Sequence, residues 1–289
     1  MAFQLKRNRP IGAEIRRLLD RQLEHAIREL THVGAGAGDR TIHAARRRVK
    51  KCRALLQLVA PEGPSRRVER QLRAVSRMLG PLADAEASAR TFARLSTTAH
   101  RLPPAAGEVI GRLVAIRHDD TARAAVDVRA RAARRLSAVR LDVEHCRVRG
   151  QGFGAITHGL RRGIRRGRRA MRDARERPDD GTFHRWRRRV KVQWLQLRLL
   201  DTRTAGALAA ETRRLETLDG VLGEHHDVTL LQHTIAAAAD LPRAYATAGL
   251  RLLRQRKAAL RHRAIRLAAE IFDRRPRDVV RAYRKAWQA

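Results

Sequence analysis

"HRWRRRVKVQWLQLRLL", residues 184–200, begins on a histidine and sets five cations among its first eight positions before aliphatic residues and a tryptophan take over. On a helical wheel of about 100° per residue, His184, Arg188, Lys191, Leu195 and Arg198 fall within about 80° of arc, with Arg187 on one shoulder. Trp186, Val190, Leu197 and Leu200 lie opposite. This segregation predicts an amphipathic helix whose apolar half faces a core and whose cations form a rail along the other side. "HAARRRVKKCRALLQL", residues 43–58, has nearly the same pattern. Here His43, Arg46, Arg47, Lys50 and Gln57 form the stripe, and Ala45, Val49, Cys52, Leu56 and Val59 lie across from it.

The likeness extends beyond the two helices. An offset of 141 aligns His43 with His184 and pairs Arg46/Arg187, Arg47/Arg188, Arg48/Arg189, Val49/Val190, Lys50/Lys191, Leu56/Leu197 and Leu58/Leu199. Downstream an offset of 143 pairs Leu79/Leu222, Gly80/Gly223 and Asp84/Asp227, which implies a two-residue length change in a turn. The chain therefore reads as two homologous helical halves, about 1–147 and 150–289, each a bundle of antiparallel helices joined by short turns. Strand signals are nearly absent. The predicted helices run from Pro10 to about 30, then 41–60, from the "PEGPS" turn (61–65) to Gly80, and from Pro81 to near Arg101. They continue over about 105–144, 155–177, 181–201, 204–222, 225–239, 243–272 and 277–288. "GAGAGD" (34–39) breaks the first helix from the second, which Asp39 or Thr41 is placed to cap.

Composition narrows the function. The 289 residues carry 64 Lys+Arg against 29 Asp+Glu, a formal net charge of +35, which implies a polyanionic partner. All but six of those cations are arginine, whose planar fork donates two hydrogen bonds to one phosphate. Hydrophobic residues at 43%, arranged with helical period, argue against disorder. Aromatics at 3% argue against a reader that stacks single-stranded bases. Cys52 and Cys146 form no close metal-ligand pair and point to a reducing compartment. No apolar run is long enough to span a membrane, and "MAFQLKRNRPIGAEIRRLLD" lacks a signal peptide's apolar stretch, so a cytoplasmic address is expected.

Cations three and four apart on a helix repel, and no Asp or Glu occurs from 40 to 61 or from 181 to 200 to relieve them. A solvated basic face is one reading; a rail that an anion normally occupies is the better one, since the same repulsion is tolerated twice. The histidines lack metal partners at ligand spacing, and their neighbours are cations. An imidazole donating to phosphate fits that company, with packing at a helix start the alternative. Asp84 and Asp227 each follow a glycine that can end a helix, and are expected to cap or to buttress rail arginines. "HHD" (225–227) has adjacent ligands that point apart, and "GAGAGD" lacks the Gly-Lys-Ser/Thr ending of a phosphate loop. The block "LRRGIRRGRRAMRD" (160–173) either extends the rail or faces water.

His-x-x-Arg-x-x-x-Lys-Lys-x-Arg, formed by His43, Arg46, Lys50, Lys51 and Arg53, followed by Leu-Gly-x-x-x-Asp at Leu79, Gly80 and Asp84, resembles the CHAD domain, the helical domain named for its conserved histidines. The second copy, "FHRWRRRVKVQWLQLRLL" and then "LETLDGVLGEHHDVTLL", is closer still, and the likeness covers essentially the whole chain to "RRPRDVVRAYRKAW". The motifs are specific through their duplication, order and spacing together. The resemblance implies an all-α fold, with two pseudo-symmetric bundles forming one domain over 1–289 around a basic central groove or pore. It also implies binding of inorganic polyphosphate, with recruitment to polyphosphate granules. His43, Arg46, Lys50, Lys51, Arg53, His184, Arg187, Arg188 and Lys191 carry over as phosphate contacts, and Arg47 and Arg198 join them from the same stripes. This chain departs from the family at Ala83, where an arginine is frequent, and at Leu195, where a tyrosine is. Trp194 takes the place matching Arg53, which predicts a shorter second rail. No ExExK motif of the triphosphatases found in some relatives occurs, so that activity is not implied.

The expectation is a non-enzymatic polyphosphate-binding module without metal or cofactor. The competing readings are an architectural nucleic-acid binder using the same charge, which would need an exposed basic surface or a groove-reading helix, and an enzyme acting on polyphosphate or nucleotides, which would need metal-binding carboxylates that this chain is short of.

Overall fold

Pro10 opens the first helix, as its fixed φ favours. In α1 (Ile11–Thr31) the residues Ile15, Leu18, Leu19, Leu23 and Leu30 are buried at helical spacing, with Ile27 partly covered. The structure is a computed structural model that describes residues 3–6, 9–32, 38–59, 64–98 and 102–289. Its further helices are α2 (Gly38–Leu58), α3 (Pro64–Met78), α4 (Gly80–Thr98), α5 (Pro104–Asp142), α6 (Gly154–Glu176), α7 (Asp180–Leu200), α8 (Ala209–Ala236), α9 (Arg243–Phe272) and α10 (Pro276–Gln288). The fold is all-α, with no strand among the described residues. The break within "GAGAGD", the cap expected of Asp39, most of the "PEGPS" turn and the predicted helix end near Arg101 lie outside the residues whose structure or side chains are described. Thr41 sits inside α2 and so does not cap it from outside.

One prediction is overturned. Residues 204–222 and 225–239 do not form two helices. A turn region, with φ of 46° at Ala205 and 78° at Gly206, leads into a single α8 that runs unbroken from Ala209 to Ala236. A glycine ends a helix by taking positive φ, and neither Gly220 nor Gly223 does so. Each costs about 1 kcal/mol relative to alanine inside a helix; buried Leu215, Leu218, Val221, Leu222, Val228 and Leu231 outweigh that. Asp227 therefore lies mid-helix, and it cannot cap one.

The histidine-headed helices bury the sides the wheel assigns to the core: Val49, Cys52 and Leu56 on α2, and Trp186, Val190, Leu197 and Leu200 on α7. Leu195 is a correction: grouped with the cations by the wheel, it is buried. The reason is that α7 packs against α2, α6 and α8, more neighbours than a surface helix has. α1 packs on α2 and α5, α4 on α5, α6 on α10, and α8 on α9, while α2–α7, α2–α6, α4–α8 and α5–α9 contacts join the two halves of the sequence. Gly159 permits the closest of these approaches, since a Cβ there would fall 1.7 Å from the Leu58 carbonyl oxygen.

Asp179 starts α7 by accepting a hydrogen bond from the Thr182 backbone N–H at 2.7 Å. Next to it, Asp180 accepts from Lys257 Nζ at 3.0 Å and from Arg261 Nη2 at 2.8 Å, and Lys257 also donates to Gln232 Oε1. Arg261 Nε donates to His225 Nε2 at 3.1 Å, and the His225 ring stacks on Phe183 with centroids 4.7 Å apart. This satisfied network ties the start of α7 to α8 and α9 and so sets the position of His184.

Candidate anion-binding site at the junction of α2 and α7

Because α2 and α7 pack together, the two basic faces meet. Lys50 lies in the combined field of Arg46 from its own helix and of Arg187 and Lys191 from α7. Burial, helped by those three charges and opposed by Asp219, pulls its ammonium down to about 7. Lys50 has no hydrogen bond or ion pair among the described residues.

The two matching arginines are held differently. Arg46 Nη1 donates to the Gly80 carbonyl at 3.2 Å and to Asp84 Oδ1 at 3.1 Å. Asp84 thus holds Arg46 by an ion pair. Arg187 lies against the glycine that matches Gly80: a Cβ on Gly223 would stand 3.8 Å from its Nε. That Nε is buried and has no partner among the described residues. Asp227 makes no hydrogen bond to it there; burial pushes the Asp227 carboxyl up, against the pull of Arg187, Arg90 and Arg94.

His184 Nδ1 meets His226 Nδ1 at 3.2 Å, with ring centroids 4.6 Å apart. Two like nitrogens bond only when one carries a proton and the other a lone pair, so the neutral rings are in opposite tautomers. Burial and then Arg187 lower both, His226 to about 3. His43 is lowered to about 4 by burial, then by Arg90, Arg47 and Lys50. Lowered in this way, these imidazoles are held toward their neutral form.

Lys191, like Arg46, is met by an acid from another helix. Its Nζ pairs with Asp219 Oδ2 at 2.6 Å and lies 4.1 Å from the Trp194 ring centroid. Ser76 occupies the place of Asp219 in the first copy and donates to the Leu72 carbonyl of its own helix.

The remaining predicted residues lie to either side of this centre. Lys51 stands 5.1 Å from the Phe3 ring, in the field of Arg48, Arg198 and Arg47, and burial lowers it to about 8. Arg198 is exposed and rests on Trp194, 5.0 Å from its centroid. Arg53 and exposed Arg188 stand in one another's field, together with Arg189. The two rails are unequal, because Trp194 stands where Arg53 does in the first copy.

Asp219 and Arg90 also stand beside these residues and were not singled out from sequence, and His226 was weighed only within "HHD". A signal existed for the two on α8: Asp219 and His226 recur with Gly223 and Asp227 at i, i+4, i+7 and i+8, one helix face. "HHD" divides, with His225 in the Asp180 network and His226 on His184. Among the described residues no group of three or more His, Cys, Asp or Glu side chains is gathered to hold a metal, and Cys52 and Cys146 are buried free thiols. No helix among them is long and apolar enough to cross a membrane.

Fold and site together define an all-α protein in which two histidine-headed helices converge their cations on one junction. The sequence profile of the CHAD domain matches residues 17–236, and the chain belongs to the CHAD domain family. The crystal structure of the CHAD domain from the plant Ricinus communis is similar, with a TM-score of 0.61 at 19% identity over 100% of this chain and 95% of that one. PptA from Streptomyces chartreusis is similar with a TM-score of 0.55 at 18% identity, over 97% of this chain and 100% of that one. No curated protein matches the sequence.

Proposed function

We propose that this protein binds inorganic polyphosphate across the α2–α7 junction and performs no reaction on it. The observation that carries this reading is the pair of unpartnered donors there: Lys50, without any bond among the described residues, and the buried Nε of Arg187. A buried donor left unmade is unfavourable by about 1–3 kcal/mol, and a phosphate oxygen would satisfy both it and the surrounding charge. Arg46, Lys191, His184, His226 and His43 complete the contacts, with Arg47, Lys51, Arg53, Arg188 and Arg198 continuing them outward. Asp84 fixes the Arg46 rotamer, and Asp227 lies in the field of Arg187. In this reading the two sequence halves form one domain whose pseudo-symmetric bundles share a basic groove, and binding draws the protein to polyphosphate granules.

Only a polymer can engage many rail positions at once, so long-chain polyphosphate is expected to bind far more tightly than orthophosphate or ATP. Its affinity should fall steeply with salt through counterion release. Displacement of labelled polyphosphate by unlabelled polymer, ATP and duplex DNA reads both the class and its rival. Equal competition by ATP would overturn the polymer reading, and stronger competition by DNA would make the protein a nucleic-acid binder. Ligand should also relieve the repulsion among these cations. Saturating polyphosphate is therefore expected to raise the melting temperature, with concentrated sulfate reproducing part of the shift; an unchanged transition would place binding outside the folded site.

Asp219 competes with phosphate for Lys191. Replacing it by the residue of the first copy, Asp219→Ser, is expected to raise affinity for the polymer by roughly three- to ten-fold, the worth of a partly screened ion pair. A lowered affinity in the displacement assay would mean instead that Asp219 holds Lys191 in its binding position.

A further inference from the structure

A second gathering of cations lies at the junction of α2, α3, α6 and α7. Arg53, Arg73, Arg162, Arg166, Arg188 and Arg189 stand in one another's fields there, around one carboxylate, Glu69. Arg73 Nη2 already donates to Glu69 Oε1 at 3.0 Å, so that charge is partly spoken for. Arg162 Nη2 donates to the Gln57 carbonyl at 3.2 Å, near the C-terminal end of α2, which suits a cation. Nothing comparable serves the others among the described residues. Arg53 Nε is buried without a partner among the described residues. The first copy shows the contrast: Arg48, which matches Arg189, donates to Glu29 Oε1 at 3.2 Å and to Gln22 Oε1 at 3.4 Å. The positions matching Glu29 and Gln22 are Ala170 and Gly163, so Arg189 has lost both acceptors. Arg162, Arg166 and Arg189, with Gln57, Gly163 and Gln196, line an open groove whose enclosed space is only about 10 Å³, so an anion would lie across it rather than inside it.

We propose that this open arginine groove is a second phosphate subsite, crossed by the same polymer as it continues past the histidine centre. The inference rests on the polyphosphate reading and goes beyond it, because it adds α6 to the binding surface and gives the polymer a direction. Arg188 is the link: its charge acts on His184 at the centre and on Arg53 and Arg189 at the groove. Guanidinium forks facing a groove suit the paired oxygens of successive phosphates. The far side, where Lys51 and Arg198 lie against Phe3 and Trp194, offers fewer free cations, so the groove is the stronger arm.

The test is Arg166→Ala with Arg189→Ala, neither of which lies in the histidine centre. Calorimetric titrations with tripolyphosphate and with a long polymer are compared between this variant and the wild type. Tripolyphosphate, short enough to be held by the centre, should bind both proteins alike. The long polymer should lose roughly ten-fold or more in affinity, and its logarithmic salt slope should fall by about 1.4, the share of two single-strand phosphate contacts. Removing like charges should also raise the melting temperature of the free protein. Unchanged affinity and slope for the long polymer would overturn the subsite. An equal loss for both ligands would overturn the continuation, since the groove would then be the short anion's own site. Failure of the wild type to bind either ligand would defeat the polyphosphate reading itself. Should the double variant melt early, Arg166→Gln alone, at an exposed side chain with no bond among the described residues, reads half of the same slope change.

Discussion

Arg46→Ala combined with Lys50→Ala is expected to lower affinity for long-chain polyphosphate by roughly ten- to a thousand-fold, and Arg187→Ala combined with Lys191→Ala by a similar factor. Each lost contact is a charge-assisted hydrogen bond of about 1.5–3 kcal/mol, less where water screens it, and about 1.4 kcal/mol is ten-fold in affinity. The first pair should fall toward the upper end. Arg46 is pre-positioned by Asp84 and Gly80, and Lys50 has nothing to release before it binds. The second pair should fall lower, because Lys191 must first leave Asp219. The fold should survive both. Lys50 and Arg187 make no bond among the described residues, and the apolar sides carrying Val49, Leu56, Val190 and Leu197 are untouched. Displacement of labelled polymer gives the affinities, and thermal melts verify the fold. Wild-type affinity in both double variants would reduce the histidine-headed helices to a solvated face.

Binding of polyphosphate at pH 8 is expected to take up close to one proton at Lys50 and a further fraction at Lys51. In the free protein these ammonium groups are lowered to about 7 and about 8, by burial first and by neighbouring cations next. Around Lys50 the charged and titratable groups are Arg46 and His43 on α2, Arg187, Lys191 and His184 on α7, and Asp219, His226 and Asp227 on α8. A row of phosphates reverses that field and returns Lys50 toward its ordinary value of 10.5. Protonation then accompanies binding, so affinity should fall as pH rises from about 7 toward that value. Stability of the free protein has the opposite slope. With its folded value below its unfolded one, Lys50 binds fewer protons folded than unfolded in that window, so stability rises with pH there. Below about 7 the full destabilisation is present. Calorimetry in two buffers of unlike ionisation enthalpy reads the uptake directly. Equal heats in both would contradict a buried neutral Lys50, and Lys50→Arg should abolish most of the buffer dependence while preserving binding.

What the sequence made legible was the amphipathic geometry of single helices and their duplication. The wheel placed Val49, Trp186, Val190 and Leu197 in the core and the cations opposite, because periodicity is a property of one helix at a time. It failed at Leu195, whose burial depends on three packed neighbours, and at Gly223, which looked like a helix end and is instead a seat for Arg187. Partners supplied from another helix were invisible. Asp219 lies 28 residues beyond Lys191, and nothing local ties the two. His226 was hidden because α8 was divided in two, which broke the i, i+4, i+7, i+8 face that aligns it with Asp219. The arginines of α6 were left between a rail and a solvated surface; packing sends Arg162 and Arg166 toward Arg189.

The central claim is that both histidine-headed helices line one site, and the most direct measurement of it is binding stoichiometry. A polyphosphate of defined length is titrated calorimetrically into the wild type and into the two double variants. One polymer per chain in the wild type, with either variant weakening that same single event, is the expected result. Two equivalent sites in the wild type, each variant losing one and keeping the other at full affinity, would contradict it and make α2 and α7 independent anion binders.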